Sequence, residues 1–567
     1  MKKRLFYLSL LIILVTSCSN GGTSSSSQFP ESDKYFSQGQ TGLYTIVSSE
    51  EETNYAYYFK SKLMETANIN CPVRYDTEST IKNEIIIGNT EKNIIDNIYL
   101  YKGFSITFKS GKIYLYGSDY DELCAGYTYF CNNLDHFMKK DAYGYIFPED
   151  TEFVSSSVDS LRAVPKYSKA KSYTLFDTGV DGYGAYYGNT KLDDYKTYKN
   201  ELLANGYQQE VENTINGNCF LTLFDAEKKY TISLNYIQCE SKLMCFIDPF
   251  INLNYRGDNN DTSLNIQPLL TQVSVIHGYN KDGMSYLYRL KDGRFIVIDG
   301  GWAEGGKVQS KHLYDLIVEQ NKLEKPTIAC WILTHIHEDH IGAFIEFAKE
   351  YSDKVTIQSF CDDLGSKKSI ADGLDSSYAI KNNDSSNMTN YYDVVENYLD
   401  KATHIRAHAG LKFYLGGAEI EFLLTYNDQF PNTYTNLETN AASSIFTVTL
   451  EDQRVLYLAD CMPTEGQLLM DMYDDYLSCN FMQMAHHGYN GATIELYQLI
   501  NPIVAFWPSN PESIAGNSQY GYNKFLISPT NTRCRELLVA GYYEFTLKLP
   551  YVATNMDFDH KFINKPN

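Results

Sequence analysis

The segment Thr334-His335-Ile336-His337-Glu338-Asp339-His340 constrains this chain more than any other stretch. Three of its eleven histidines and an aspartate fall within six residues, directly after the apolar run Ile328-Ala329-Cys330-Trp331-Ile332-Leu333. Imidazole nitrogens and a carboxylate at such short spacing suit a zinc-class ion. The pattern offers more ligands than one four-coordinate ion uses locally, which points to two metals and, with them, hydrolysis. In extended backbone, residues two apart point the same way, so His335, His337 and Asp339 can converge, with His340 supplied by the start of a helix.

The chain around this segment has 567 residues, too many for one hydrophobic core. Residues 30–155 read as a small α+β domain. It has a buried-type strand at 84–87, a hairpin at 104–108 and 113–116, and apolar residues at helical spacing over 121–134. Residues 165–262 read as a second, strand-rich α+β domain with no catalytic cluster, and the polar stretch 252–265 reads as a linker. From residue 266 to 567 the pattern changes to strand, helix, strand, histidine motif and helix, half of an α/β layered fold.

Residues 1–17 do not belong to this fold. Lys2-Lys3-Arg4 is a basic n-region, and residues 5–15 are an apolar stretch too short to cross a bilayer of about 30 Å. Val15-Thr16-Ser17-Cys18 resembles the bacterial lipobox, which implies a signal peptide over 1–17, lipidation at Cys18 and a Ser/Gly tether over 18–29. An ordinary secretory signal that happens to contain Cys18 is the alternative. Loss of residues 1–17 removes three positive charges and no negative ones, taking the net charge from −22 to −25. Such a surface argues against nucleic acid as a partner, because that affinity comes mostly from Lys and Arg on phosphates. The other eleven cysteines are scattered without a C-x-x-C pair, which does not describe a disulfide framework.

Further chemistry lies downstream. The strand 454–458 ends in Ala459-Asp460, and the apolar strand 482–485 runs into His486-His487-Gly488. Taken with the 335–340 motif, this order resembles the metallo-β-lactamase-fold hydrolases. That resemblance implies an αββα sandwich, with His335 and His337 on a first metal, Asp339 and His340 on a second, and Asp460 bridging the two. It makes His487 the better metal ligand and leaves His486 to contact substrate or leaving group, with the reverse assignment open. The two divalent ions would be Zn2+, with Mn2+ suited to the same ligands. Many members carry one more first-metal histidine about twenty residues before the bridging aspartate. Here that region reads Thr439-Asn440-Ala441-Ala442-Ser443-Ser444, so Asn440 is expected beside the first metal rather than on it. The remaining histidines are expected to be loop, surface or structural residues, His404 and His408 among them.

Asn440-x-x-Ser together with His486-His487-Gly488 resembles two branches of that family, the competence DNA-uptake proteins and the phosphorylcholine esterases. Residues 84–134 also resemble the non-catalytic N-terminal domain found ahead of several glycoside-hydrolase domains, a hint of envelope glycan. The resulting expectation is a membrane-anchored, extracytoplasmic phosphodiesterase, with Asp339 and His486 as catalytic groups, acting on small or polymeric phospho-substrates. A nuclease or nucleotide phosphodiesterase, an ester, lactone or β-lactam hydrolase, and a non-enzymatic glycan-binding lipoprotein are the alternatives.

Overall fold

The computed structural model describes residues 34–553, apart from residues 51, 89, 91–102, 119, 149, 157–163, 171–172, 180–181, 258–262, 276–282, 304–307, 366–383, 430–438, 510–515, 518–520, 529 and 540–543. The expected signal peptide, Cys18, the tether, His277 and His560 lie outside the described residues. The chain divides into two compact units, residues 1–94 with 104–155 and residues 95–103 with 156–567.

In the first unit a six-stranded sheet runs in the order 151–156, 103–109, 112–117, 84–87, 45–48, 73–75. Helices Thr53–Ala67 and Tyr120–Asn132 cover it, burying Phe59, Leu63, Tyr127 and Phe130 against Ile85 and Ile106.

The second unit contains two structures packed together. A six-stranded antiparallel sheet is built from residues 174–179, 182–187, 242–249, 230–237, 218–224 and 208–215, in that spatial order. Helix Leu192–Ala204 covers it through Tyr195, Tyr198 and Leu202. Every residue of the strand Asn218–Phe224 is buried, a pattern that needs cover on both faces. The other cover is the larger structure: Phe220 joins the Leu423–Tyr473 cluster, Asn235 Nδ2 donates to Ala409 O at 2.9 Å, and the buried Lys242 Nζ donates to Asp428 O at 2.6 Å.

That larger structure is a sandwich of two sheets. The first contains β1 (Leu269–Gln272), β2 (Ser285–Arg289), β3 (Phe295–Asp299), β4 (Thr327–Ile332), β5 (Ser359–Asp362) and β6 (Thr403–Arg406). The second contains β7 (Lys412–Leu415), β8 (Ala418–Leu424), β9 (Ile445–Leu450), β10 (Gln453–Tyr457), β11 (Phe481–Gln483), β12 (Val504–Trp507) and β13 (Glu536–Val539). The C-terminal strand β14 (Phe545–Lys548) returns to the first sheet, giving the orders β6-β5-β4-β3-β2-β1-β14 and β7-β8-β9-β10-β11-β12-β13. Each sheet is antiparallel toward one side and parallel toward the other, with β3 to β6 and β10 to β13 as the parallel runs. Ile296, Ile298, Ile332, Phe446, Tyr457 and Phe506 fill the space between the sheets, where the Tyr288 and Tyr457 hydroxyls meet at 2.7 Å.

Helices close both outer faces. α1 (Val308–Gln320), α2 (Glu338–Tyr351) and α3 (Asp384–Tyr398) pack on the first sheet. α4 (Pro463–Tyr473) and α5 (Ile494–Ile500) pack on the second. Sheets made of such apolar strands are stable only with both faces covered, and the αββα order supplies that cover. The chain leaves β3, β4, β10 and β11 at their carboxyl ends, and the functional side chains sit just beyond these ends, where open α/β sheets place their ligands.

Candidate metal centre

At the end of β3, Asp299 adopts a left-handed backbone (φ 50°) and is fully buried. Its carboxylate accepts from the Thr334 amide at 2.9 Å, the Thr334 hydroxyl at 2.7 Å and His340 Nδ1 at 2.7 Å. Gly300 and Gly301 then donate their amides to His340 O at 2.8 and 3.2 Å, and Ala343 donates back to Gly301 O at 2.7 Å. A Cβ on Gly342 would stand 2.3 Å from the Ala303 nitrogen, so glycine there lets the first turn of α2 lie against this loop. Asp299 thus orients the histidine motif. The sequence reading passed over it, although a carboxylate ending an apolar strand before two glycines was the available signal.

β4 ends at Ile332, His337 is the N-cap of α2, and Asp339 and His340 both belong to its first turn. The expectation that His335, His337 and Asp339 converge from extended backbone is therefore corrected: Asp339 is presented by the helix.

Beyond β10, the Gln483 side chain accepts from the Leu458 and Ala459 amides at 2.9 and 2.6 Å, shaping the turn that delivers Asp460. The Asp460 amide is held by Ser443 Oγ at 3.2 Å. Beyond β11, His486 and His487 both take left-handed conformations, φ 48° and 53°. The alternation expected of adjacent strand residues is thus replaced by a tight turn, and the turn sets the two directions. His487 turns inward, with Nδ1 donating to Pro508 O at 2.9 Å, while His486 stays partly exposed.

These segments bring six donors into two groups that share Asp460: Asp339, His340, Asp460 and His487, and His335, His337 and Asp460. In the four-residue group, His340 Nε2 lies 3.2 Å from His487 Nε2 and 3.1 Å from Asp460 Oδ1. His487 Nε2 lies 3.0 Å from Asp339 Oδ2 and 3.3 Å from Asp460 Oδ1, and His340 Nε2 lies 3.8 Å from Asp339 Oδ2. Donors ~2.0–2.1 Å from a tetrahedral ion stand ~3.3 Å from one another, so this spacing fits one ion. In the three-residue group, His335 Nε2 lies 3.1 Å from His337 Nδ1 and 3.7 Å from Asp460 Oδ2. The His/Asp cluster is compatible with a dinuclear centre.

Electrostatics divides the histidines. Burial drives His335 well below the ordinary histidine range and His337 down to about 4, so both rings are neutral and keep a lone pair. Burial opposes charge on His340 and His487 as well, but Asp460 and Asp339 outweigh it and raise both. Burial would likewise raise the two aspartates, yet His340 and His487 hold them below the carboxylate range. The carboxylates require nearby positive charge, which protons or divalent ions can provide.

Asn440, in the short turn Thr439–Ala442, lies 3.2 Å (Nδ2) from His486 Nε2. His486 Nε2 in turn lies 3.9 Å from Asp460 Oδ2. His404 and His408 do not join either group; His404 lies in β6, and His408 lies in the loop after it, where it is buried rather than exposed. His408 is buried against Asp248 at 2.6 Å, and His404 Nε2 contacts the fully buried Asp362 at 3.0 Å. Their acidic partners lie far away in the sequence, so nothing local marked them. His312 pairs with Glu544 at 2.7 Å, and Cys461 is buried in the core of the second sheet.

Residues 279–359 match the family model described as the metallo-beta-lactamase superfamily. No curated protein matches the chain. Among solved structures, the metallo-beta-lactamase fold protein YhfI from Bacillus subtilis is 12% identical, with 49% of this chain and 99% of that one covered at a TM-score of 0.30. CmlA, a diiron beta-hydroxylase from Streptomyces venezuelae, is 11% identical, with 53% and 55% covered at 0.30. A beta-lactamase domain protein from Burkholderia ambifaria is 14% identical, with 37% and 58% covered at 0.23. The fold of the C-terminal region is mixed α/β, with the αββα layers of the metallo-β-lactamase sandwich.

Proposed function

We propose that this chain is a metal-dependent hydrolase that cleaves phosphodiesters of cell-envelope or extracellular phospho-substrates, held outside the membrane by a lipid anchor at Cys18. The observation that carries the hydrolase reading is the spacing of donors around Asp460, one group of four and one of three sharing a carboxylate. Two divalent ions bound there would activate water near neutral pH and polarise an anionic substrate oxygen. Nitrogen and oxygen donors suit Zn2+ and also Mn2+.

The chain's own groups divide the remaining work. Asp460 supplies charge to both groups, and Asp339 and His487 complete the four-donor one. The group of His335, His337 and Asp460 offers three donors where a tetrahedral ion takes four, as in sites that admit water or substrate. His486 stands on that side with its side chain 23% exposed, within reach of a bound molecule. Its Nε2 is the ring atom that faces Asp460 and Asn440, while Nδ1 is buried without a partner among the described residues. His486 Nε2 is therefore the ring atom assigned to the leaving oxygen. The net charge of −22 supports compact phospho-substrates over long nucleic acid.

The test is metal analysis of the protein beginning at residue 19, followed by assays on a bis-aryl phosphate, an aryl phosphorylcholine, a lactone, a β-lactam and single-stranded DNA. Two equivalents of metal with turnover of a phosphodiester are expected. Turnover of the lactone or β-lactam alone would overturn the phosphodiesterase reading, and metal-free protein would overturn the hydrolase reading.

A further inference from the structure

His340 and His337, one from each donor group, have different outer partners. His340 gives its outer N–H directly to the carboxylate of Asp299. His337 meets its carboxylate through a hydroxyl: its Nε2 lies 2.7 Å from Thr439 Oγ1, which lies 2.8 Å from Asp384 Oδ2, while the other Asp384 oxygen stands 3.7 Å from Nε2. All three residues are buried, Asp384 completely.

The hydrogen-bond inventory allows one arrangement. A carboxylate only accepts, and a threonine hydroxyl has a single proton. That proton goes to Asp384, leaving Thr439 Oγ1 an acceptor toward His337. His337 must then donate from Nε2, so its lone pair lies on Nδ1, the atom facing His335 Nε2 in the three-donor group.

Both outer members are fixed independently of the histidine. Asp384 opens α3, where the helix N-terminus favours a carboxylate. The same helix is tied down by Asn387 Nδ2 donating to Ile336 O at 3.0 Å and by Tyr391 Oη donating to Asp362 at 2.7 Å. Thr439 begins a turn whose Ala441 carbonyl accepts from Gln429 Nε2 at 2.9 Å.

We propose that Thr439 and Asp384 are positioning residues that lock His337 as the Nε2–H tautomer, presenting Nδ1 to the first metal and governing how tightly that ion alone is held. The proposal rests on the dinuclear reading above. It gives α3 and the 439–442 turn a role in the site beyond packing.

Zn2+ binding by the otherwise full-length protein, read by competition with a chromophoric chelator, tests it without any substrate. His335→Ala and His487→Ala identify which binding step belongs to which ion. Thr439→Val is expected to weaken the ion lost in His335→Ala by about 10–100-fold and to leave the other unchanged. Thr439→Ser should restore it, and Asp384→Asn should weaken the same ion. A metal-free melting curve like that of the parent shows that the fold is intact. If the parent binds two ions and Thr439→Val binds both as tightly, or loses both equally, the relay is overturned while the dinuclear reading stands. If the parent binds none, the dinuclear reading fails and the relay fails with it.

Discussion

Asp248→Asn removes one partner of a buried ion pair that joins the small antiparallel sheet to the sandwich. His408 Nε2 and Asp248 Oδ2 are 2.6 Å apart, and the imidazole stacks on Phe246 with ring centres 4.0 Å apart. Burial opposes charge on His408, but Asp248, then Asp363 and Asp428, outweigh it and raise the ring above its ordinary value. Arg406 is itself paired with Asp362 and Asp363, and the Lys242 ammonium donates to Asp428 O. Unit charges ~3 Å apart attract by about 5 kcal/mol at an effective dielectric of 20. Part of this is offset by lost hydration, and breaking a buried pair from one side costs about 3–5 kcal/mol. Because Asp363 and Asp428 still face the ring in the variant, the lower end, about 3 kcal/mol, is expected. The sign with pH follows from the raised value. The pair's contribution is complete below the unfolded histidine's pKa of about 6.5 and is lost as pH rises through the folded-state value. Urea unfolding of parent and variant at pH 6 and pH 9, followed by fluorescence, measures both. A deficit that grows from pH 6 to pH 9 would refute a protonated His408.

Three other outcomes are expected. Asp460→Asn, which changes the donor shared by both groups, should lose both ions on gel filtration, whereas His487→Ala should lose one; equal losses in the two variants would contradict a bridging role. His486→Ala should lower turnover by about 100-fold at unchanged metal content, and full activity would remove it from catalysis. Gly342→Ala drives a Cβ to 2.3 Å from the Ala303 nitrogen, so it should cost about 1–3 kcal/mol in unfolding and reduce metal content by shifting Asp339 and His340; parent-like values in both would show that the loop yields freely.

The layered architecture was readable from the alternation of apolar strands with helical stretches, and the histidine cluster from donors crowded behind an apolar run. Asp460, an ordinary strand-end aspartate by itself, was marked by its place in the family's motif order, and the choice between His486 and His487 likewise came from family likeness. Strand alternation could not have made that choice, because both residues leave the extended region for φ near 50°. Residues that act by long-range pairing were invisible. Thr439 meets Asp384 from 55 residues away, and His408 meets Asp248 from 160 residues away. A short polar side chain reveals such a partner only once the chain has closed, whereas a donor beside other donors reveals itself locally.

The division of the donors between the two sheets bears on how the centre comes into being. His335, His337, Asp339 and His340 hang from the first sheet, while Asp460 and His487 hang from the second. A chain ending before residue 460 carries four of the six donors but not the carboxylate that makes them one centre. Ion retention therefore reports that the halves have docked, and a captured ion acts as a clasp between them. Separately made halves should recover metal only on mixing, which makes the metal content of any truncated or damaged form a direct gauge of whether its sandwich has closed.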